Sequence, residues 1–371
     1  MDSGGGPPQK HTAGSSRELE GTGGASQSHS ATKVEESSCS LSWYDLKCHL
    51  VSLIFPGSPF ATGIGLQDID GYRYYPSFIC PRDRIDLARN HEWQETDAFL
   101  SSYPKSGTHF CGLVMVLIAH KGHFPEKTDL HTLFHSVEFK NGAGGDNSLD
   151  YNEPSPVGLH LPRVLISHMP QHHVKMNGLA RFLYVMRDPV FTLASMRRME
   201  LLMFGPILCS KLDTFIEYNI KTRDTGWLDH VLGWWQVRDR SNLLLVTYEE
   251  LVTNPAEAVR KIANHMRVNL TDDEAGLVVK KMDKAWALQN VDPFLFKAQT
   301  PFSPPDRDST SKSGFIVNAD AIKEKFTKEQ ERLIRDEYTR KIKAIMEGTG
   351  DASAAANATS FYNAHNRYFI A

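Results

Sequence analysis

The chain lacks the features that mark secreted and membrane-spanning proteins. Its 371 residues include only five cysteines, scattered and without a Cys-x-x-Cys pair. An odd, scattered set argues against a complete disulfide framework and favours reduced thiols. The longest apolar runs are about ten residues, too short to cross a bilayer, and the first residues lack the apolar core of a signal peptide. We therefore expect a soluble, cytoplasmic protein that does not bind membranes.

The chain also has little net charge and no clear metal-ligand pattern. A formal net charge of −3 gives no general attraction to nucleic acid. His172 and His173 are adjacent but lack matching carboxylates or thiolates, which makes them a weak metal signal. We predict that both face solvent and that no metal is bound. The apolar share of 41% is nevertheless large enough for a substantial core.

Composition suggests three segments along the chain. Residues 1–40 are rich in Gly, Ser, Thr and charge, so we predict a disordered N-terminal tail. Residues 41–348 alternate apolar strands with helical patterns and are interpreted as one domain. Residues 349–371 are predicted to be a linker, over 351–357, and a tail whose aromatic residues dock on the body. The polar stretch 140–156 is either a lid over a site or an insertion without function.

The most informative stretch is residues 103–110, Tyr-Pro-Lys-Ser-Gly-Thr-His-Phe. An apolar run precedes it and a longer one follows, which predicts a strand, a tight loop and a helix. The N-terminus of a helix presents unpaired N–H groups and the positive end of a dipole, and both favour an anion. Gly107 allows close approach of the backbone, Lys105 adds a charge, and Ser106 and Thr108 add hydroxyl donors. The stretch therefore predicts an anion-binding loop.

This loop differs from the nucleotide P-loop, which needs two glycines and a lysine after the second. It resembles the phosphosulfate-binding loop of the cytosolic-type sulfotransferases, Tyr-Pro-Lys-Ser-Gly-Thr-Thr-Trp, at six of eight positions. The resemblance covers roughly residues 90–345. It implies that the loop binds the 5′-phosphate of 3′-phosphoadenylyl sulfate (PAPS) through Lys105, Ser106, Gly107, Thr108, His109 and Phe110. It also implies that Lys105 stabilises the leaving group.

Two further segments match the same family. An apolar strand over 164–166 is followed by His168, which the resemblance implies is the general base. Where the family has a lysine two residues before this histidine, the chain has Ile166. A second apolar strand ends at Arg187-Asp188-Pro189, with Ser195 eight residues after the arginine. The resemblance implies that Arg187 and Ser195 bind the 3′-phosphate, and a guanidinium fork suits phosphate oxygens.

The remaining family positions match more weakly. Tyr248 follows another apolar strand, and the resemblance places it near the nucleotide. Trp286 stands where the family has an aromatic residue that contacts adenine. Lys312 and Gly314 stand for the Arg and Gly of a C-terminal Arg-Lys-Gly signature, so the resemblance implies that they bind the cofactor. Ser313 replaces the Lys, and no Gly-Asp-Trp follows.

Together these patterns predict an α/β fold, a P-loop-like parallel sheet with helices on both faces. The resemblance implies transfer of a sulfonate group from PAPS to a hydroxyl or amine, with PAP as the product and no metal. The aromatic-rich neighbourhood favours a small, hydrophobic acceptor, while the oligomeric state is open. Two alternatives remain: an inactive PAP- or PAPS-binding protein, and, with weaker support, a P-loop kinase acting on a small molecule.

Overall fold

The computed structural model describes most of the chain between residues 66 and 369. The described residues are 66–75, 77, 80–123, 134–138, 162–209, 211–222, 226–283, 286–287, 325–348 and 350–369. The predictions for the N-terminal tail, for the 140–156 loop and for Lys312 and Gly314 lie outside these residues. Within them, every helix is too short or too polar to span a membrane.

A parallel five-stranded sheet forms the centre of the molecule, as predicted. Its strands are β3 (Asp97–Ser101), β4 (Phe134–Ser136), β5 (Arg163–Ser167), β6 (Arg181–Met186) and β7 (Leu243–Thr247), in the order β4-β5-β3-β6-β7. Adjacent strands are parallel throughout. A separate antiparallel hairpin precedes the sheet and consists of β1 (Gln67–Ile69) and β2 (Tyr72–Tyr74).

Ten α-helices lie among the described residues. They are α1 (Arg82–Arg89), α2 (Thr108–Ala119), α3 (Pro189–Leu208), α4 (Leu212–Glu217), α5 (Trp227–Gln236), α6 (Tyr248–Thr253), α7 (Pro255–His265), α8 (Asp272–Lys281), α9 (Lys328–Gly348) and α10 (Ala352–Ala364). A π-helical turn covers Tyr218–Thr222, and 3-10 turns cover Gln171–His173 and Asn366–Tyr368. Capping boxes at Thr271 and Thr327 begin α8 and α9.

The helices cover both faces of the sheet, because the strands carry apolar side chains on each face. On one face α2, α7 and α8 pack against residues such as Leu100 and Val246. On the other face α3, α5, α9 and α10 pack against residues such as Phe99 and Phe182. The tryptophans Trp227 and Trp234 are fully buried in this second layer.

Two local predictions are wrong. The segment 351–357, predicted to be a linker, is the start of α10, because Asp351 caps the helix N-terminus and the alanine-rich sequence favours helix. His173, predicted to face solvent, is buried. Its Nδ1 lies 2.7 Å from the hydroxyl of Tyr74, and the two rings stack, so a partner in the hairpin makes its burial possible. His172 is exposed, as predicted.

The topology brings four predicted site segments to one edge of the sheet. Because all five strands run in the same direction, the residues that follow them emerge together at their carboxyl ends. The predicted phosphate loop follows β3, His168 follows β5, Arg187 follows β6 and Tyr248 follows β7. The candidate site is therefore assembled from segments far apart in sequence.

Candidate active site

The loop between β3 and α2 has the backbone of an anion site. Lys105 and Gly107 both have positive φ angles, of 70° and 105°. A positive φ is uncommon for a lysine and costs roughly 1 kcal/mol, and such strain is concentrated at functional sites. The left-handed turn at Gly107 directs the first N–H groups of α2, which begins at Thr108, towards the end of the sheet.

Gly107 is required here for space as well as for conformation. A Cβ atom at this position would lie 2.5 Å from Cδ2 of Tyr248. The edge of Phe110 also meets the Tyr248 ring, with the centroids 5.7 Å apart. The loop therefore packs directly on the segment that follows β7, and any side chain at 107 would push the two apart.

Two polar atoms in this region fit an absent anionic ligand. The hydroxyl of Ser106 is fully buried, yet within the described part of the chain it has no hydrogen-bond partner. The same holds for Nε of Arg187. Buried polar groups are nearly always paired, so two orphaned donors near a helix N-terminus indicate a ligand with acceptor oxygens. A nucleotide phosphate provides such oxygens.

Lys105 and Arg187 bring two positive charges together. The Nη1 atom of Arg187 lies 3.5 Å from the backbone oxygen of Lys105. Burial, together with the nearby charge of Arg187, lowers the pKa of the Lys105 ammonium to about 7. Burial also lowers the pKa of Arg187. An anion bound between these two side chains would relieve both effects, because it would stabilise the charged forms.

Arg187 is held on two sides. Its guanidinium lies over the Tyr248 ring, 4.2 Å from the centroid, which is a cation–π contact. Its backbone oxygen accepts a hydrogen bond of 3.0 Å from Nε1 of the buried Trp227. Ser195 is half-buried on α3, two turns after Arg187, as the sequence spacing requires. Binding of a phosphate by Arg187 and Ser195 stays a prediction.

His168 is connected to the phosphate loop through Ser102. Its Nδ1 lies 2.9 Å from the backbone oxygen of Ser102, and the Ser102 hydroxyl contacts the hydroxyl of Thr108. Since a carbonyl oxygen only accepts, Nδ1 carries the proton and Nε2 carries the basic lone pair. Burial lowers the pKa of His168 to about 4, and the Lys105 charge contributes to that decrease. At neutral pH the imidazole is uncharged, as a general base must be.

The backbone of His168 is fixed as firmly as its ring. Its carbonyl oxygen accepts hydrogen bonds from the hydroxyl of Tyr72, at 3.2 Å, and from Nε2 of His230, at 3.1 Å. Its N–H donates to a carboxylate oxygen of Glu138. The peptide groups on both sides of the imidazole are therefore anchored, which limits movement of the base.

Glu138 and Ser102 are components of the site that the sequence reasoning missed. Glu138 follows β4 and is only 1% exposed. Burial raises its pKa to about 7, against the opposing effect of the hydrogen bond from His168. Its second oxygen has no partner among the described residues. The only sequence signal was an acidic residue after a short apolar stretch, and such a residue is usually exposed.

A small cavity lies beside the base. It is lined by aromatic and apolar residues together with three charged or titratable ones: Tyr72, Arg73, Tyr74, Tyr75, Cys80, Pro104, Glu138 and His168. A larger cavity of about 400 Å³ lies between the end of β7 and the C-terminal turn, and His168 and Lys105 do not line it. The cavity beside His168 has a volume of about 10 Å³, which is room for about one water molecule, so among the described residues it marks the surroundings of the base and not a complete acceptor pocket.

The weaker sequence predictions have mixed outcomes. Tyr248 lies at the centre of the site, beneath Arg187 and against Gly107. His109 and Phe110 are half-buried in the first turn of α2. Trp286 lies just after α8, with Nζ of Lys281 5.4 Å from its ring centroid. Its contact with adenine stays a prediction.

Comparison with known proteins agrees with this geometry. Residues 95–345 match the sulfotransferase domain family. The chain is 25% identical to sulfotransferase 1C2 of Oryctolagus cuniculus over 304 residues, which cover 77% of this chain and 96% of that protein. It is 26% identical to amine sulfotransferase of the same species over 202 residues, which are 53% of this chain and 64% of the relative.

The fold is also similar to a solved structure, that of mouse sulfotransferase SULT7A1 complexed with PAP. The TM-score is 0.52 at 19% identity, and the match covers 81% of this chain and 99% of that one. This likeness concerns the fold alone. The family match extends from the strand before the phosphate loop to the last turn of α9, and so includes every strand of the sheet. The chain belongs to the sulfotransferase domain family.

Proposed function

We propose that the protein transfers a sulfonate group from PAPS to a hydroxyl or amine of a small, hydrophobic acceptor. The observation that carries the proposal is the meeting of three segments at one edge of the sheet. Arg187 contacts the phosphate loop at Lys105, and His168 is joined to the same loop through Ser102. A nucleotide with phosphates at both ends of its ribose needs two such anion sites side by side.

The donor would be held by residues of the loop and of α3. The N–H groups at the start of α2 and the Ser106 hydroxyl would bind the 5′-phosphate. Arg187 and Ser195 would bind the 3′-phosphate, and this second site would select PAPS over ordinary adenine nucleotides. Tyr248, already in contact with Arg187, would fix the direction of the guanidinium.

The reaction is an in-line displacement in which positioning and charge stabilisation provide most of the catalysis. The acceptor oxygen or nitrogen forms a bond to sulfur, and the bond from sulfur to the 5′-phosphate oxygen breaks. Nε2 of His168 takes the proton of the acceptor. Lys105 stabilises the negative charge that develops on the departing phosphate.

The acceptor class follows from the surroundings of the base. Tyr72, Tyr74 and Cys80 line the small cavity beside His168 together with Arg73, and the aromatic share of this lining favours an apolar or aromatic molecule. The name of the relative from Oryctolagus cuniculus, amine sulfotransferase, keeps an amine acceptor under consideration. Ile166 packs in the apolar layer beneath α2, so Lys105 and the helix terminus must supply the positive charge alone.

The test is an acceptor screen with radiolabelled PAPS, made with the wild-type protein and with His168→Gln. We expect transfer to at least one phenol, hydrophobic alcohol or amine. The substitution should reduce turnover by about a hundredfold or more, the usual contribution of a general base. Affinity for PAP should be unchanged, because His168 faces the acceptor.

Equal turnover in the two proteins would remove His168 from the mechanism. PAP binding without transfer to any acceptor would instead favour the alternative of an inactive nucleotide-binding protein. A rate that depends on ATP and magnesium would favour the kinase.

A further inference from the structure

The C-terminal part of the chain returns to the loop that carries Arg187. The turn Asn366–Tyr368 follows α10, and the Tyr368 hydroxyl donates a hydrogen bond of 3.1 Å to Oε2 of Glu249. The other oxygen of Glu249 accepts the N–H of Asp188, also at 3.1 Å. A single carboxylate therefore connects the C-terminal turn to the residue next to Arg187.

A second connection runs through Arg335 on α9. One nitrogen of its guanidinium, Nη2, lies 2.8 Å from Oδ2 of Asp188, and both side chains are largely buried. The other nitrogen, Nη1, donates to the backbone oxygen of Tyr368 at 2.9 Å. The two terminal nitrogens of one planar guanidinium therefore connect the C-terminal turn to Asp188.

Aromatic packing also supports the segment that carries Arg187 and Asp188. Trp227, which donates to the backbone oxygen of Arg187, is in ring contact with three aromatic residues of the C-terminal segment. These are Tyr338, Phe361 and Tyr368, with centroids 5.4 to 6.2 Å from that of Trp227. Hydrogen bonds and packing from α9, α10 and the final turn therefore meet at residues 187–188.

We propose that Arg335 and Tyr368 are positioning residues for Arg187, and that the C-terminal segment thereby sets the affinity for the 3′-phosphate. This inference rests on the proposed function. A guanidinium recognises phosphate oxygens only when its plane is correctly directed, and small displacements cost much of the interaction. Asp188 accepts hydrogen bonds from Arg335 and from the N–H groups of Val190 and Thr192, and its own N–H donates to Glu249. The contacts with Arg335 and Glu249 depend on the C-terminal segment.

The segment should affect one end of the nucleotide more than the other. The 5′-phosphate loop has its own support, from the Ser102–Thr108 hydroxyl contact and from the packing of Gly107 on Tyr248. Loss of Tyr368 or Arg335 contacts should therefore reduce the discrimination between nucleotides with and without a 3′-phosphate. A residue that only stabilised the fold would change both affinities together.

The experiment is calorimetric titration of the full chain with adenosine 3′,5′-bisphosphate and with adenosine 5′-monophosphate. The variants are Tyr368→Phe, which removes one hydroxyl, and Arg335→Gln. Matched controls come from the same part of the chain: Tyr362→Phe on α10, just before the C-terminal turn, and Arg340→Gln on α9, whose side chain is 66% exposed and pairs with Glu337. If Arg335→Gln does not fold, Tyr368→Phe decides the question.

We expect the two test variants to bind the bisphosphate about tenfold more weakly, the usual effect of losing a hydrogen bond to a charged group. They should bind the monophosphate as wild type does, and the controls should match wild type for both. The inference alone would be overturned if both test variants kept the wild-type preference for the bisphosphate, or if they lost the same affinity for both nucleotides. Equal binding of the two nucleotides by the wild-type protein would overturn the proposed function as well.

Discussion

Replacing Gly107 by alanine tests the packing of the phosphate loop on Tyr248. Two penalties are expected, and they have different origins. The backbone at 107 has a φ of 105°, which an alanine adopts at a cost of about 1–2 kcal/mol. The added Cβ would also lie 2.5 Å from Cδ2 of Tyr248, a ring atom near the base of the side chain, which cannot move alone. Relieving such a clash typically costs about 1–3 kcal/mol.

Gly71 provides the matched control, because it separates the two penalties. Its φ is 78°, but a Cβ there would meet nothing within 4 Å. Gly71→Ala should therefore lower the free energy of unfolding by only the conformational cost, about 1–2 kcal/mol. Gly107→Ala should lower it by about 2–5 kcal/mol, the sum of both penalties. The clash should disappear when Tyr248 is also replaced by alanine.

The assay is urea unfolding of the single variants, of Tyr248→Ala and of the double variant, arranged as a double-mutant cycle. In the Tyr248→Ala background, we expect Gly107→Ala to lower the free energy of unfolding by no more than Gly71→Ala does. Affinity for adenosine 3′,5′-bisphosphate should fall with the single substitution, since displaced Tyr248 no longer supports Arg187. An unchanged cost of Gly107→Ala in the Tyr248→Ala background would refute the reasoning.

Two other predictions concern titratable groups. Lys105, with a pKa of about 7, is largely neutral at pH 8, and the phosphates of the bisphosphate should restore its charge, so binding should take up about one proton. Calorimetry in buffers of different ionisation enthalpy measures this uptake, which should be absent in Lys105→Met. Equal proton uptake by the two proteins would contradict the assignment. The pKa of Glu138 is raised from 4.5 to about 7 in the folded protein, so the fold favours the protonated side chain. This contribution to the free energy of unfolding is complete below about pH 4.5 and is lost as the pH rises through 7. Wild-type protein should therefore lose about 3 kcal/mol of unfolding free energy over this range relative to Glu138→Gln; parallel stability curves would show that Glu138 is not protonated in the fold.

The sequence predicted the parts of the fold that local patterns determine. Continuous apolar runs before the phosphate loop, before His168 and before Arg187 indicated buried strands, and each is a strand of the parallel sheet. The turn at Gly107 and the start of α2 also follow from local chemistry, since a small flexible residue and hydroxyl groups favour a helix N-terminus. These features need no knowledge of distant contacts.

Residues that depend on long-range contacts were not predictable in the same way. Glu138 is buried because its oxygen meets the N–H of His168, thirty residues later. His173 is buried because the β2 hairpin brings Tyr74 over it. The helix α10 itself is favoured locally by Asp351 and its alanines, but its place against Trp227 depends on a distant contact. In each case the partner decides the position, and the partner is distant in sequence.

The most direct test of the central claim compares two nucleotides on two proteins. Calorimetry should show that wild-type protein binds adenosine 3′,5′-bisphosphate about a hundredfold more tightly than adenosine 5′-monophosphate, as expected for at least two charge-assisted hydrogen bonds to the additional phosphate. Arg187→Ala should abolish most of that preference and leave the monophosphate affinity nearly unchanged. Equal affinities for the two nucleotides in the wild-type protein would contradict the account.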